Sequence, residues 1–471
     1  MTETTQQTGS WRELLGQHLG TSTVLAGGVA MYATNEFLTV SLLPSTIKEI
    51  GGGRLYAWVV TLYLVGSVVA ATTVNPVLRR FGPRTSFLMA LALFGMASLV
   101  CAAAPSMEVL IAGRTLQGVA GGTLAGLGYA LINSALPRSL WTRGSALVSA
   151  MWGVATVIGP AMGGLFAQFG LWRWAFGAMA LLTVSMAILV PVVLRGDGGA
   201  GRQQQPLADL KVPVWSLLLV GAAALAVSVA QLPRHAWVIA ALLGVGVLLI
   251  GAFVLVDRRG RAAVLPPSVF GSGPLKWIYL TMAVLMMAVM IDTYVPLFGQ
   301  RLGHLTPVAA GFLGASLAIG WTVSEIVSAS LSNPRTIGTV VLAAPLVMTA
   351  GLAIGAVTQR ADASIGLVAV WALSLLVAGT GIGMAWPHLS ARAMDSVDDP
   401  AESGVAAAAI NTVQLISAAF GAGVAGVVVN TATGGDVIEA RWLYTAFTGL
   451  AAIGIIASHR ATRRDRQATS A

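Results

Sequence analysis

Charge is scarce in this chain of 471 residues: 10% are Asp, Glu, Lys or Arg, 56% are hydrophobic, and the mean hydropathy is +0.80. Soluble globular domains carry roughly 25% charged residues, so a water-soluble enzyme of this length is excluded. Cysteine is scarcer still. Cys101 stands alone inside an apolar run, which leaves no intrachain disulfide and no thiolate metal site. No Gly-x-x-x-x-Gly-Lys-Ser/Thr loop occurs, so nothing points to ATP, and no His-Glu-x-x-His pair points to a metalloprotease. No cofactor or metal is expected. Lysine is nearly missing, with Lys48, Lys211 and Lys276 the only ones among 27 basic residues. With abundant Ala, Gly and Val, that bias fits a GC-rich bacterial genome.

What is present in excess is apolar sequence, and a bilayer is the solvent that accepts it. The net charge of +9 would suggest nucleic acid on a soluble protein. Here the basic residues flank apolar runs, where they act as topology signals, and nucleic-acid binding is excluded as a main function. Residues 1–21 are polar and lack the basic n-region and cleavage site of a signal peptide.

A helix needs about 20 apolar residues to cross the hydrocarbon. By that ruler, runs lie near 22–43, 56–78, 86–104, 109–132, 142–169, 173–194, 214–232 and 237–256. They continue near 276–298, 307–330, 336–357, 364–386, 404–430 and 441–457. The expectation is about fourteen spans. With the N-terminus in the cytoplasm, alternating loops place Arg12, Arg79, Arg80, Arg84, Arg138, Arg143, Arg195, Arg202 and Lys211 inside. Arg258, Arg259, Arg261, Lys276, Arg335, Arg392, Arg460, Arg463, Arg464 and Arg466 follow them. Only Lys48, Arg54, Arg173, Arg234, Arg301, Arg360 and Arg441 fall outside. The bias is roughly threefold, as the positive-inside rule requires, and it predicts both termini in the cytoplasm.

Two polar stretches divide the chain. The expected organisation is a cytoplasmic segment at 1–21, six helices over 22–195, a linker at 196–213, and two extra helices over 214–256. A second linker at 257–275, six more helices over 276–457 and a basic tail at 458–471 complete it. Two six-helix halves with a site between them near the midplane suit this layout.

The motifs agree with that layout. The second span ends in Asn75-Pro-Val-Leu-Arg-Arg-Phe-Gly-Pro-Arg84, and the fourth begins Arg114-Thr-Leu-Gln-Gly118 and runs into Gly121 and Gly122. The fifth carries Gly153 and then Gly159-Pro-Ala-Met-Gly-Gly164, followed by Trp172-Arg-Trp-Ala-Phe176. In the second half, Tyr294-Val-Pro-Leu-Phe-Gly-Gln300 precedes Thr306-Pro307 and Ala310-Gly311. In this order and spacing the chain resembles the major facilitator superfamily over nearly its whole length. With its two extra central spans it is most similar to the fourteen-span drug:proton antiporters. The resemblance implies an all-α integral membrane protein with the major-facilitator fold. It also implies proton-coupled export of amphipathic drugs or toxic small molecules across the bacterial inner membrane by a monomer.

In that family the fifth-span motif is associated with export. Physically, Pro160 removes a backbone donor and bends the helix, while Gly153, Gly159, Gly163 and Gly164 permit close approach of a neighbour. The alternative reading is a plain small-residue packing face. The Arg80, Gly82 and Arg84 turn suits a tight cytoplasmic loop. The chain departs from the family pattern in having Asn75 and Arg79 where Gly and Asp are usual, so the acidic latch of that loop is altered. Ser332-Asn-Pro-Arg335 is a degenerate counterpart, and positive-inside anchoring accounts for both loops equally well.

An ionisable group within a span costs at least about 2.5–3.5 kcal/mol at the midplane on insertion scales, so each one asks for a reason. Glu36, Arg114, Asp292 and Glu325 are the candidates. A carboxyl taken out of water holds its proton more tightly, the property a proton-coupling site needs. Glu36 lies at mid-depth of the first span and is read as a coupling or substrate-binding acid, against a Glu satisfied by a neighbouring helix. Asp292 follows Met282, Met286 and Met290, which share one face and suit a pocket for varied apolar molecules, although such a stripe also suits ordinary packing. By the topology Asp292 lies somewhat outward of the midplane, where a solvated rim is the alternative. Glu325 is either a second proton site or a charge that reaches the interface. Arg114 matches the family's fourth-span arginine, whose implied role is proton transfer; physically it holds a carboxylate or an anion, with Gln117 its polar companion. Asn411 and Gln414 could bond a substrate or glue helices, and His388 reads as interfacial.

Besides export, a narrow exporter of a natural product, sugar or lipid-like metabolite, and a proton-coupled uptake symporter, remain as rivals. An intramembrane enzyme would need a nucleophile–base pair, and none stands out.

Overall fold

The computed structural model describes residues 11–132, 136–137, 140–194, 213–233, 235–260, 263–397 and 400–468. The expected linker at 196–213 lies almost wholly outside them. A short α1 (Trp11–Gly16) leads into α2 (Leu19–Ile50), α3 (Tyr56–Ala102), α4 (Met107–Ala130), α5 (Trp141–Gln168) and α6 (Trp172–Val193). Next come α7 (Val214–Val229) and α8 (Ala236–Arg259), then α9 (Leu275–Val289), α10 (Val295–Gly303), α11 (Pro307–Ala329) and α12 (Pro334–Thr358). The chain closes with α13 (Ile365–Asp395), α14 (Pro400–Thr431) and α15 (Asp436–Ala468). The protein is all-α, because backbone polar groups in hydrocarbon must be satisfied within each segment.

Eleven helical stretches among the described residues are long and apolar enough to cross a membrane. The remaining long helices are α2 and α4, which carry Asn35, Glu36, Arg114 and Gln117, and α7, which has 16 residues. Several helices overrun the apolar runs that announce them. Helix α2 continues through Pro44 to Ile50, and α15 runs to Ala468, since an arginine-rich segment is a good helix former once in water.

Two breaks define the geometry. Helix α3 holds two spans joined at Gly82, whose φ of 76° and ψ of 169° suit glycine and turn the chain sharply between them. The second break corrects the expectation of one continuous helix over 276–298. Between α9 and α10 lies a 3₁₀ turn, Met290–Tyr294, with the Val295 N–H bonded to the Asp292 carbonyl. Pro296 supplies no N–H to the carbonyl four residues back, which belongs to Asp292, and its ring crowds that carbonyl.

Helices α2–α6 pack on one another, as do α9–α15. Close crossings are set by glycine: Gly118 sits on the Tyr63 carbonyl of α3, and Gly379 of α13 on the Leu317 carbonyl of α11. The first set meets the second chiefly through α5 on α11, α3 on α14, and α2 on α10 and α11. Helices α7 and α8 pack together and lean on α3 and α14.

The end of the bundle holding the α2–α3 turn, here called distal, is where the two sets touch most intimately. A Cβ on Gly164 would stand 2.6 Å from the Cα of Val308, and one on Gly311 would stand 3.2 Å from the Pro160 carbonyl. Tyr56 stacks on Tyr294 with ring centroids 4.7 Å apart, and Asn430 Nδ2 donates to the Arg54 carbonyl at 2.8 Å. Within the first set, Glu49 closes the same end by pairing with Arg173 and accepting from Trp172 Nε1 at 2.6 Å.

Candidate functional site

A cavity of about 220 Å³ lies between the two sets. From the first set it is lined by Glu36 and Phe37 of α2, Leu64 of α3, and Trp152 and Thr156 of α5. The second set contributes Met286, Val289, Met290 and Asp292 from α9 and the 3₁₀ turn, and Ala318, Trp321, Thr322 and Glu325 from α11. Trp386 of α13 and Gln414, Leu415 and Ala418 of α14 complete the wall. Three acids far apart in sequence therefore face one space, and none of the described lining residues is basic. Glu36 and Asp292, one from each set of helices, both line it. Glu36 Oε2 is buried without a hydrogen-bond partner. Asp292 is set into the wall by the helix break, so the sequence-based alternative of a solvated rim is replaced by a place facing Glu36.

Three tryptophans give the surface its aromatic character. Trp321 and Trp386 lie tilted at 57° with ring centroids 5.6 Å apart, and Trp152 meets Tyr32 edge-on at 5.6 Å. Flat apolar rings next to carboxylates suit a molecule with an aromatic body and a positive charge, since ring faces and acids both attract cations. These tryptophans were missed in the sequence. Their only signal was helical spacing, Trp321 four residues before Glu325 and Trp152 four before Thr156.

Arg114 is elsewhere. It is fully buried behind the cavity wall and makes no ion pair with a carboxylate among the described residues. Its Nη1 donates to Gln117 Oε1 at 2.8 Å, and its guanidinium lies 3.9 Å from the centroid of the Tyr63 ring. Gln117 Nε2 donates to Ser98 Oγ at 2.8 Å, while Asn35 Nδ2 reaches Gln117 Oε1 at 3.4 Å. Asn35 adjoins Glu36, so the network braces α2 just behind the acid, and Arg114 acts on Glu36 through its field rather than by contact.

The other expected residues divide. Gln414 lines the cavity, whereas Asn411, one turn away, is exposed and points elsewhere. Met286 and Met290 line it and Met282 is buried in packing. His388 is buried rather than interfacial, with Nε2 2.9 Å from Ser328 Oγ. Because Ser328 Oγ already donates to the Met384 carbonyl at 2.6 Å, the histidine is the donor in that contact. In the fifth-span motif, Gly159 and Gly163 abut α2, and Gly153 and Gly164 abut α11. Pro160 lies inside α5, which is helical on both sides of it. Arg80 is exposed with its guanidinium 5.6 Å from the Phe81 ring centroid, Arg84 is half-buried, and Gly82 makes the turn between them.

A cavity at the midpoint of a helical bundle, walled by both halves and shut at one end, defines a multi-pass membrane transporter. The Major Facilitator Superfamily signature matches residues 25–422, and the chain belongs to that family. It is 74% identical over 468 residues to a protein of Mycobacterium tuberculosis (strain ATCC 25618 / H37Rv) named "Probable multidrug-efflux transporter", covering 99% of each chain. It is 24% identical to the multidrug transporter protein MdtP of Bacillus subtilis (strain 168), over 86% of this chain and 74% of that one. Among solved structures, a D-xylose-proton symporter superposes with a TM-score of 0.66 at 13% identity, covering 93% of this chain and 96% of that one. That likeness concerns the fold alone.

Proposed function

We propose that this protein is a proton-coupled antiporter that exports amphipathic, preferentially cationic, aromatic molecules across the cytoplasmic membrane. The observation that carries the reading is the convergence of Glu36 and Asp292 on one tryptophan-lined cavity with no basic residue among the described residues of its wall. Proton and substrate compete for those acids, and a ligand shifts a two-state equilibrium only by its differential affinity for the two states. A protonated site releases a cation and an ionised one admits it, which gives antiport without a cofactor. The proton gradient is the only driving force required. The distal end is read as the outer face and the chain termini as cytoplasmic, so the closed distal end corresponds to an inward-facing state. The relatives named for multidrug efflux support the reading.

A narrower exporter is the second reading. It is favoured by the 28% identity, over 88% of this chain, to the puromycin resistance protein of Streptomyces alboniger.

The test uses inverted membrane vesicles with an imposed pH gradient, a panel of lipophilic cations and neutral antibiotics, and a probe of proton release. Substrate-triggered release is expected from the wild type and is expected to vanish in Glu36→Gln or Asp292→Asn. Release that persists in both variants would sink the reading; release triggered by one antibiotic alone would select the narrower exporter.

A further inference from the structure

Helices α7 and α8 have no part in the cavity, yet α7 reaches both halves at the closed end. On the side of the first half, Trp58 Nε1 of α3 donates to the Ser228 carbonyl at 2.7 Å, and the Arg54 guanidinium donates to the Leu232 carbonyl. On the side of the second half the contact has another character. Val227 faces Gly423 of α14, and the Gln231 side chain lies directly against Gly426, where any Cβ would collide with it. No side-chain hydrogen bond joins α7 to α14 among the described residues. Gln231 is fully buried with neither amide atom partnered, and Ser228 Oγ beside it is unpartnered too.

One face of α7 is therefore bonded and the other is smooth. A buried amide without partners gains hydrogen bonds as soon as its surface is wetted, so the smooth joint holds by packing alone while its polar groups favour parting. We propose that the inserted pair α7–α8 is the latch of the distal seam: it travels with α3 and slides off the glycine face of α14 when that end opens. The inference rests on the alternating-access reading above. It assigns to the two extra helices control over how readily the distal end opens, and to Gln231 the part of a group held out of water only in the closed state.

The geometry offers a direct lock. A Cβ on Gly423 would lie 3.6 Å from the Val227 Cβ, within the roughly 3.5–4.5 Å that a disulfide spans. The natural thiol, Cys101, is buried against Leu110 and Gly113 of α4. In the Val227→Cys/Gly423→Cys protein, oxidation is expected to lower ethidium export from lipid vesicles at least tenfold. Reductant should restore it, and neither single variant should respond. Ethidium binding to the oxidised protein is expected to stay within twofold, because the cavity is untouched. Spin labels placed at Lys48 and Arg360 after cross-linking give a readout that needs no substrate. The reduced protein should show a short and a longer distance, and the oxidised protein the short one only. A longer distance that survives cross-linking, a reduced protein confined to the short distance, or undiminished export when oxidised would each overturn the latch. Absence of ethidium export from the wild type would count against the efflux reading instead, and the spin distances alone would then decide the latch.

Discussion

The two acids that face each other across the cavity are held in opposite ways. Glu36 sits on an unbroken helix, and the chain behind it is fastened by Asn35, Gln117, Ser98 and Arg114 in one run of hydrogen bonds. Asp292 sits where the helix gives way, in a 3₁₀ turn whose regular ladder Pro296 interrupts. A helix braced from behind under one acid and an interrupted helix under the other teach that the halves share an architecture without seating their acids alike. The first half seats its acid on a continuous helix, the second on a 3₁₀ turn.

That contrast can be broken from either side. The largest effect is expected from Arg114→Leu, which removes the guanidinium that donates to Gln117 Oε1 and lies on the Tyr63 ring. Unsatisfied buried groups cost about 1–3 kcal/mol each, so export should be lost and the melting temperature in detergent should fall. Asp292→Asn should abolish proton-linked export equally well but leave the melting curve in place. A melting curve lowered alike in both variants would erase the distinction between an acid on a braced helix and one on an interrupted helix. Pro296→Ala comes next. By allowing the ladder to run through, it should slow export about tenfold, equivalent to ~1.4 kcal/mol, while equilibrium substrate binding changes little. Gly164→Ala is milder. Its new Cβ would press on the Val308 backbone, and overpacking of this kind costs roughly 1–3 kcal/mol, which should shift spin distances toward an open distal end.

The smallest effect belongs to Glu49, exposed at the distal end. Hydrogen bonds from Trp172 and Arg173 hold its carboxyl below the usual carboxylate range. A group depressed on folding contributes stability above its unfolded pKa and loses it as pH falls through the folded one. Amide exchange at the α2–α6 junction should therefore quicken only under distinctly acidic conditions. Glu49→Gln should remove that pH dependence with little change at neutral pH, since exposed pairs contribute little.

Much of the fold was legible in the sequence because bilayer thickness fixes the length of each apolar run and because basic residues mark loops. Gly82 stood out in a tight cytoplasmic turn, and the glycines of α5 stood out as small residues in a span. The fate of individual polar groups was not legible in the same way. Asn411 and Gln414 are one turn apart, and only the rotation of α14 decides that Gln414 meets the cavity. Trp152, Trp321 and Trp386 come from α5, α11 and α13, so their meeting is a property of packing. The break at Met290–Tyr294 had one hint, Pro296, and a proline within a span is ambiguous: α12 and α13 carry Pro345 and Pro387 and stay helical.

At the far end of α8, Asp257 accepts the backbone N–H groups of Val264 and Leu265 at 2.8 and 2.9 Å. The chain doubles back on that carboxylate before it reaches Leu275. Ten residues extend at most about 35 Å, so the inserted pair is leashed to the second half although its hydrogen bonds are with the first. A short leash keeps a detached partner at high local concentration. The insert is thus a tethered cross-member whose joint with α14 is always within reach of re-forming, which makes its closing rate independent of how many copies the membrane holds.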